Sequence, residues 1–311
     1  MSKNVLVLGG SYFAGRVFAM VASREAGFSL TVVNRGRYSM THLPNVTEYR
    51  CDRKDAAALR ALPAADYDAV VDFCAYQPGD IQTVLENLPG RFGRYIYIST
   101  VDAYDKETAP AVPDETAPLL SLGPKPDADD IYLYRYGKRF LEAELEAACG
   151  LGGIDYTVLR PSFIYGPYNY APRESYYVQK IVAGEPIPVP TDADAKFQFV
   201  YVKDVANAII ACVNSPKAAN QAYNLSAPEE IDYAGYMEVL GQVSDLPVKT
   251  EPVTVAQVLA QNIPLPFPLT AAESELYNGE KIVRELDFRY TPFRDGMEKT
   301  YVAFKGVYTP R

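Results

Sequence analysis

The run "NVLVLGG" at residues 4–10 constrains this chain more than any other stretch. It is a short apolar strand ending in two glycines, and "SYFAGRVFAMVASREAG" follows at once with helical spacing through Phe13, Val17, Met20 and Val21. "FSLTVVNRG", "YDAVVDFCAY" and "RYIYIST" read as further strands, and "KDAAALRALPAA" and "DIQTVLENLPG" as helices between them. Parallel neighbours need long crossovers, so strands alternating with helices predict an α/β protein with a doubly wound parallel sheet. Right-handed crossovers gather the loops after the strands at one carboxyl edge, where ligands of such sheets bind.

Beyond Leu159 the alternation loosens, and Pro and Tyr become frequent in "RPSFIYGPYNYAPRESYY" and "GEPIPVPTDADAKF". At 311 residues the chain exceeds what one core usually supports, roughly 250–300 residues. A smaller C-terminal lobe is therefore expected. Residues 1–160 plus about 196–225 form the first domain in this reading, with "FQFVYV" and "KDVANAIIACVNS" returning to its sheet, and about 161–195 plus 226–311 form the second.

Hydrophobic residues make up 48% and charged residues 22%, the balance of a folded globular chain. The net charge of −9 disfavours a nucleic-acid partner, because phosphate backbones are held by clustered Lys and Arg. No stretch reads as a membrane span and residues 1–9 hold no apolar leader core, so a cytoplasmic location is expected. Cys51, Cys74, Cys149 and Cys212 form no C-x-x-C pair and read as small buried hydrophobes; no metal is expected. With His42 as the single histidine, tyrosine is the proton carrier to examine first.

Tyr134 and Lys138 stand four apart in "DDIYLYRYGKRFLEAELEAACG", a helical pattern whose buried side is supplied by Phe140, Leu141 and Leu145. A tyrosine moves protons near neutral pH when a neighbouring cation stabilises its phenolate, and Lys138 is placed to be that cation. The same spacing also suits two exposed residues on any helix. Gly9, Gly10 and Gly15 are likewise ambiguous: they suit a turn that lets a pyrophosphate approach a helix N-terminus, and equally a turn that is tight for steric reasons.

Taken in order, these motifs resemble the extended short-chain dehydrogenase/reductase family of NAD(P)-dependent epimerases, dehydratases and reductases, nearly end to end. The fold this implies is Rossmann-like with a substrate-binding C-terminal lobe. The glycine turn with Gly9, Gly10, Ser11, Tyr12, Phe13 and Gly15 resembles that of the atypical branch, Gly-Gly-x-x-Phe-x-Gly. "CDRKD" is similar to the adenine-contacting segment through Asp52, and "VVDFCAY", with Ala75, to the strand end bordering the cofactor. "YIYISTVDAY" matches the strand that supplies the active-site Ser or Thr, here Thr100, and Tyr134 with Lys138 matches Tyr-x-x-x-Lys. "LRPSFIYGP", with Pro161 among the implied cofactor residues, then "FVYVKDVANAI" and "YNLS" follow in the family's order.

The resemblance implies hydride transfer at a nicotinamide, coupled to proton transfer by Tyr134, with Lys138 and Thr100 assisting. Asn34 and Arg35 stand where an NAD-preferring member places a carboxylate, so NADP is the preferred cofactor here and NAD the alternative. A small-molecule substrate is implied, sugar-like or a nucleotide sugar, near Asp102, Arg160, Tyr165, Arg173 and Lys196. Phe197 departs from the arginine that grips a diphosphate in nucleotide-sugar members, and Val101–Asp102 replaces the dehydratase Asp-Glu pair. Tyr165, Tyr168, Tyr170, Tyr176 and Tyr177 suit either a sugar face or packing between lobes. Pairing of helices into a homodimer is a family possibility. Some atypical members act instead as RNA-binding or nucleotide-sensing proteins, and that non-catalytic alternative stays open.

Overall fold

The computed structural model describes residues 2–123 and 128–309. In chain order the strands and helices are β1 (Lys3–Leu8), α1 (Phe13–Ala22), β2 (Phe28–Asn34), β3 (Val46–Arg50), α2 (Ala56–Arg60), β4 (Ala65–Asp72), α3 (Asp80–Asn87), β5 (Gly90–Ile98), α4 (Asp130–Gly152) and β6 (Asp155–Pro161). There follow β7 (Phe163–Tyr165), α5 (Glu174–Ala183), β8 (Ile187–Pro190), β9 (Phe199–Tyr201), α6 (Val202–Asn214), β10 (Gln221–Leu225), α7 (Tyr233–Val243), β11 (Thr250–Val253), α8 (Val255–Gln261), α9 (Glu280–Leu286) and α10 (Phe293–Tyr308).

Contacts divide the chain into two units. The first comprises Met1–Pro161, Lys203–Leu225 and Asn278–Arg289, and the second Ser162–Val202, Ser226–Tyr277 and Tyr290–Arg311. The first unit holds a seven-stranded sheet in the order β10-β6-β5-β4-β1-β2-β3, parallel throughout. This is the expected doubly wound Rossmann-like sheet, and its strand order reverses between β1 and β4, the topological switch point. Val5, Leu6 and Val7 on β1 and Ala69, Val70 and Val71 on β4 are fully buried, as a strand covered on both faces requires.

The second unit differs from the expected layout. β9 pairs with β7 in a two-stranded sheet of its own, so "FQFVYV" does not return to the large sheet; the strand that does is β10. Residues 278–289, which carry α9, pack with the first unit. The core of the second unit is aromatic. Phe197 stacks on Phe267 at 4.8 Å and Phe199 on Phe293 at 4.9 Å, while Tyr165 packs on Phe293 at 5.2 Å. Among the described residues no helix is long and apolar enough to cross a membrane.

Candidate active site

The site begins at the turn between β1 and α1. A Cβ on Gly15 would lie 2.5 Å from the Gly9 carbonyl oxygen, so only glycine lets the helix press onto the turn. α1 starts with Tyr12 as N-cap, which makes no side-chain capping bond, and its first turn holds no acidic residue. Its N-terminal N–H groups and positive dipole end therefore suit an anion. A dinucleotide pyrophosphate fits this turn. Phe13, the first helical residue, has φ of +37°, a left-handed value that side chains avoid.

α4 brings the helical pair to the ends of β4 and β5. Asp129 caps the helix by accepting from the Tyr132 N–H, and Leu141 and Leu145 bury its inner face. The Lys138 ammonium is buried; it donates to the Ala75 carbonyl at 3.2 Å and the Ile98 carbonyl at 3.0 Å. It lies 4.4 Å from the Tyr76 ring centre and 5.0 Å from that of Tyr97. Burial pushes the Lys138 pKa down to about 8, with the Asp72 carboxylate opposing. Gly137 makes this approach possible, since a Cβ there would meet the Tyr76 carbonyl oxygen at 2.8 Å.

Tyr134, one turn earlier, is 44% exposed. Thr100 is buried at the end of β5, where its Oγ1 accepts from the Asp102 N–H at 3.2 Å and starts the 3-10 turn Val101–Ala103. Asp102 pairs with Lys106 at 3.5 Å. Arg135 fastens this turn to α4, donating to the Asp102 and Tyr104 carbonyls, each at 3.0 Å.

Sequence reasoning missed the buried charges beneath these residues. Glu142 on α4 accepts from Ser99 Oγ at 2.5 Å and from Arg160 Nη2 at 2.7 Å. Arg160 also donates to the Tyr104 hydroxyl at 3.0 Å, and that hydroxyl bonds to Asn224 at 2.8 Å. Arg160, expected near substrate, is thus committed to the interior of its own unit. Asp72 at the end of β4 is fully buried and accepts from Arg53 and from the Tyr95 hydroxyl. A signal existed, since an aspartate closing the run "AVVD" must find a partner when the strand is buried.

The other expected residues are placed as follows. Asn34, at the end of β2, donates to Glu48 Oε1 at 2.7 Å, whereas Arg35 is exposed. Asp52 is exposed and accepts from the Lys54 N–H in a local turn. Ala75 and Pro161 are buried, while Ser11 is half-buried. In the second unit Tyr165 is buried with its hydroxyl 3.3 Å from the Phe293 carbonyl, the Arg173 guanidinium lies 4.8 Å from the Phe163 ring centre, and Lys196 pairs with Glu230 at 3.0 Å. Tyr177 is buried in the aromatic core, Tyr176 half-buried, and Tyr168 and Tyr170 exposed. Cys51, Cys149 and Cys212 are buried; Cys74 is half-buried. Among the described residues no three His, Cys, Asp or Glu side chains group as a metal site would require.

Residues 81–226 match the family model described as the NAD dependent epimerase/dehydratase family. That segment belongs to this family. The epimerase/dehydratase segment covers β5, the Thr100 turn, α4 with Tyr134 and Lys138, and β10. Among curated relatives, the chain is 27% identical over 259 residues to the chloroplast stem-loop binding protein of 41 kDa b from Arabidopsis thaliana, covering 79% of this chain and 64% of that one. It is 24% identical over 177 residues to UDP-glucose 4-epimerase from Vibrio cholerae, covering 57% of this chain and 51% of the relative. The match thus spans less than two thirds of either relative's length. Among solved structures, UDP-glucuronic acid 4-epimerase from Bacillus cereus, in complex with UDP-glucuronic acid and NAD, superposes with a TM-score of 0.75 at 15% identity, over 98% of this chain and 100% of that one. The shared fold is that of an epimerase that carries NAD. The NADP preference read from Asn34 and Arg35 finds no support in this neighbour.

Proposed function

We propose that the protein is an NAD-dependent enzyme of the epimerase/dehydratase type, acting on a hydroxyl or carbonyl carbon of a small sugar-like substrate, nucleotide sugars included. The observation that carries this reading is the buried Lys138 ammonium at the ends of β4 and β5, one helical turn from the exposed Tyr134.

The residues suited to hold the cofactor are Gly9, Gly10, Ser11, Tyr12, Phe13 and Gly15 at the pyrophosphate, Asn34 with its neighbours at the adenosine ribose, and Ala75, Lys138 and Pro161 toward the nicotinamide. When bound, NAD supplies the hydride acceptor. Tyr134 exchanges the proton of the substrate oxygen, and the positive charge of Lys138 lowers the cost of its phenolate. Thr100 Oγ1 offers a hydrogen bond at the same oxygen, where charge develops. Arg173 and Lys196 are the cations suited to a phosphate-bearing substrate; with Phe197 buried, no arginine stands at that position.

NAD is proposed over NADP because the Glu48 carboxylate, on β3, bonds to Asn34 at the end of β2. Burial works to raise the Glu48 pKa, but hydrogen bonds from Asn34, Ser39 and the Met40 N–H outweigh it and hold it below the ordinary range. Its charge disfavours a 2′-phosphate beside Asn34.

The test is turnover with NAD and a panel of UDP-sugars, in wild type and Tyr134→Phe. Loss of the hydroxyl should lower kcat by about 10²–10⁴-fold, the range for a proton-transfer group; unchanged kcat rules out Tyr134 as the proton carrier. A second reading, stem-loop RNA binding without turnover, is favoured by the name of the Arabidopsis relative. The net charge of −9 weighs against it, and a filter-binding titration across salt separates the two.

A further inference from the structure

Two tyrosine rings bridge the two turns that would border the adenosine half of the cofactor. Tyr12 lies in the turn after β1 and Tyr38 in the loop after β2, and their rings are 6.0 Å apart and within 8° of parallel. Both are surface residues, 48% and 38% exposed. Their backbones are nonetheless well anchored. Tyr12 is extended, with φ −136° and ψ 140°, immediately before α1. On the other side, the Glu48 carboxylate receives hydrogen bonds from Asn34, Ser39 and the Met40 N–H, pinning the loop both before and after Tyr38. The Arg37 guanidinium lies 5.4 Å from the Tyr38 ring centre and adds a cation to the group.

Half-exposed rings at a 6.0 Å separation gain little from burial, and neither belongs to the hydrophobic core of its unit. In a doubly wound sheet the pyrophosphate lies on the N-terminus of the first helix and the adenosine ribose at the end of the second strand. A bridge from Tyr12 to Tyr38 therefore crosses the dinucleotide's path. We infer that Tyr12 and Tyr38 form an aromatic clasp that closes over the adenosine half of a bound dinucleotide and gates its entry and release. Tyr38 thereby becomes a cofactor-site residue. This rests on the dinucleotide reading above.

A gate has a kinetic signature that an ordinary contact lacks. An ordinary contact slows dissociation alone, whereas a gate slows association and dissociation together and leaves the equilibrium nearly in place. Stopped-flow fluorescence of NADH mixing with the full chain, followed by displacement with excess NAD, measures both rates. Tyr12→Ala and Tyr38→Ala should each speed both by about three- to tenfold, the range that one aromatic pair can contribute. The double variant should be no faster than either single one, and Tyr12→Phe and Tyr38→Phe should keep the slow rates because the rings remain. Rates unchanged in Tyr38→Ala, or faster release with unaltered association, would overturn the clasp. Failure of the wild type to bind NADH at all would instead remove the dinucleotide reading and the clasp with it.

Discussion

The Lys138 ammonium donates to the Ala75 carbonyl oxygen at 3.2 Å, which ties helix α4 to the loop after β4. A second bond to the Ile98 carbonyl reaches the end of β5, so one side chain spans adjacent strand ends at the switch-point side of the sheet. Among the described residues two of its three N–H donors are used in this way, and in the proposed site the third would serve a ligand hydroxyl.

This burial has a pH consequence. The Lys138 pKa is about 8 folded against 10.5 for the free side chain, so the unfolded state binds more protons between those values and stability rises with pH through that window. Relative to Lys138→Met, the wild type should gain roughly 2 kcal/mol between pH 7.5 and 9.5, following from about 1.4 kcal/mol for each pH unit. Denaturant unfolding of both proteins at the two pH values measures it. A flat difference would mean that the ammonium is better solvated than its carbonyl partners suggest.

Gly137→Ala probes the same approach from the backbone. The new Cβ would stand 2.8 Å from the Tyr76 carbonyl oxygen, and backbone cannot swing aside as a flexible side chain can. A loss of about 1–3 kcal/mol is expected, the usual cost of overpacking. NADH titration should show weakened binding in parallel, because Lys138 is carried outward with the helix.

The sequence pattern disclosed α1, β1, β2, β4, β5 and the helix bearing Tyr134, all of which have strong periodicity or a glycine turn at one end. β3 escaped because "VTEYR" is polar on an edge, and β10 because "QAYNL" is short. The three-residue β9 reads as a strand from its apolar run, yet its partner β7 is chosen by tertiary packing, which no local pattern records. The same limit applied to the site. Tyr134 and Lys138 stood out only when their spacing was joined to the order of the surrounding motifs, whereas Arg135 and Glu142 on the same helix gave no local signal, because their partners are distant in sequence.

Glu48→Gln tests the cofactor assignment. The amide keeps a side chain able to accept from Asn34 but removes the charge that, in the proposed site, would oppose a 2′-phosphate. The ratio of NADPH to NADH affinity should rise about tenfold, which corresponds to about 1.4 kcal/mol. Calorimetric titration with both nucleotides decides it, and a wild-type preference for NADPH would reverse the assignment.

The Glu142–Arg160 pair should behave as a buried ion pair whose halves are worth more together than apart. Glu142→Ala leaves the Arg160 guanidinium without its carboxylate and should cost about 3–5 kcal/mol. The double replacement Glu142→Met with Arg160→Met should cost less than Glu142→Ala alone, since no uncompensated charge remains. Urea unfolding of the wild type and the two variants gives the comparison, and a double variant less stable than Glu142→Ala would show that the stranded charge is not what the single replacement costs.

Glu174 gives the second unit its own pH response, of opposite sign. Its side chain is fully buried at the start of α5 and Oε2 accepts from Asn169 at 2.8 Å; among the described residues Oε1 and the Tyr177 and Tyr236 hydroxyls find no hydrogen-bond partner. Burial pushes its pKa up from 4.5 to about 7, against the hydrogen bond from Asn169 and the charge of Arg173. Between those two values the folded state holds the proton more tightly than the unfolded state, so stability falls as pH rises through the window. Glu174→Gln removes the titration while keeping the shape. The wild type should therefore lose roughly 2–3 kcal/mol relative to Glu174→Gln between pH 4.5 and 7.5, and remain at that deficit above. Unfolding followed by tyrosine fluorescence at pH 5 and pH 8 reads the difference, and parallel curves for the two proteins would mean that Glu174 stays ionised in the aromatic core.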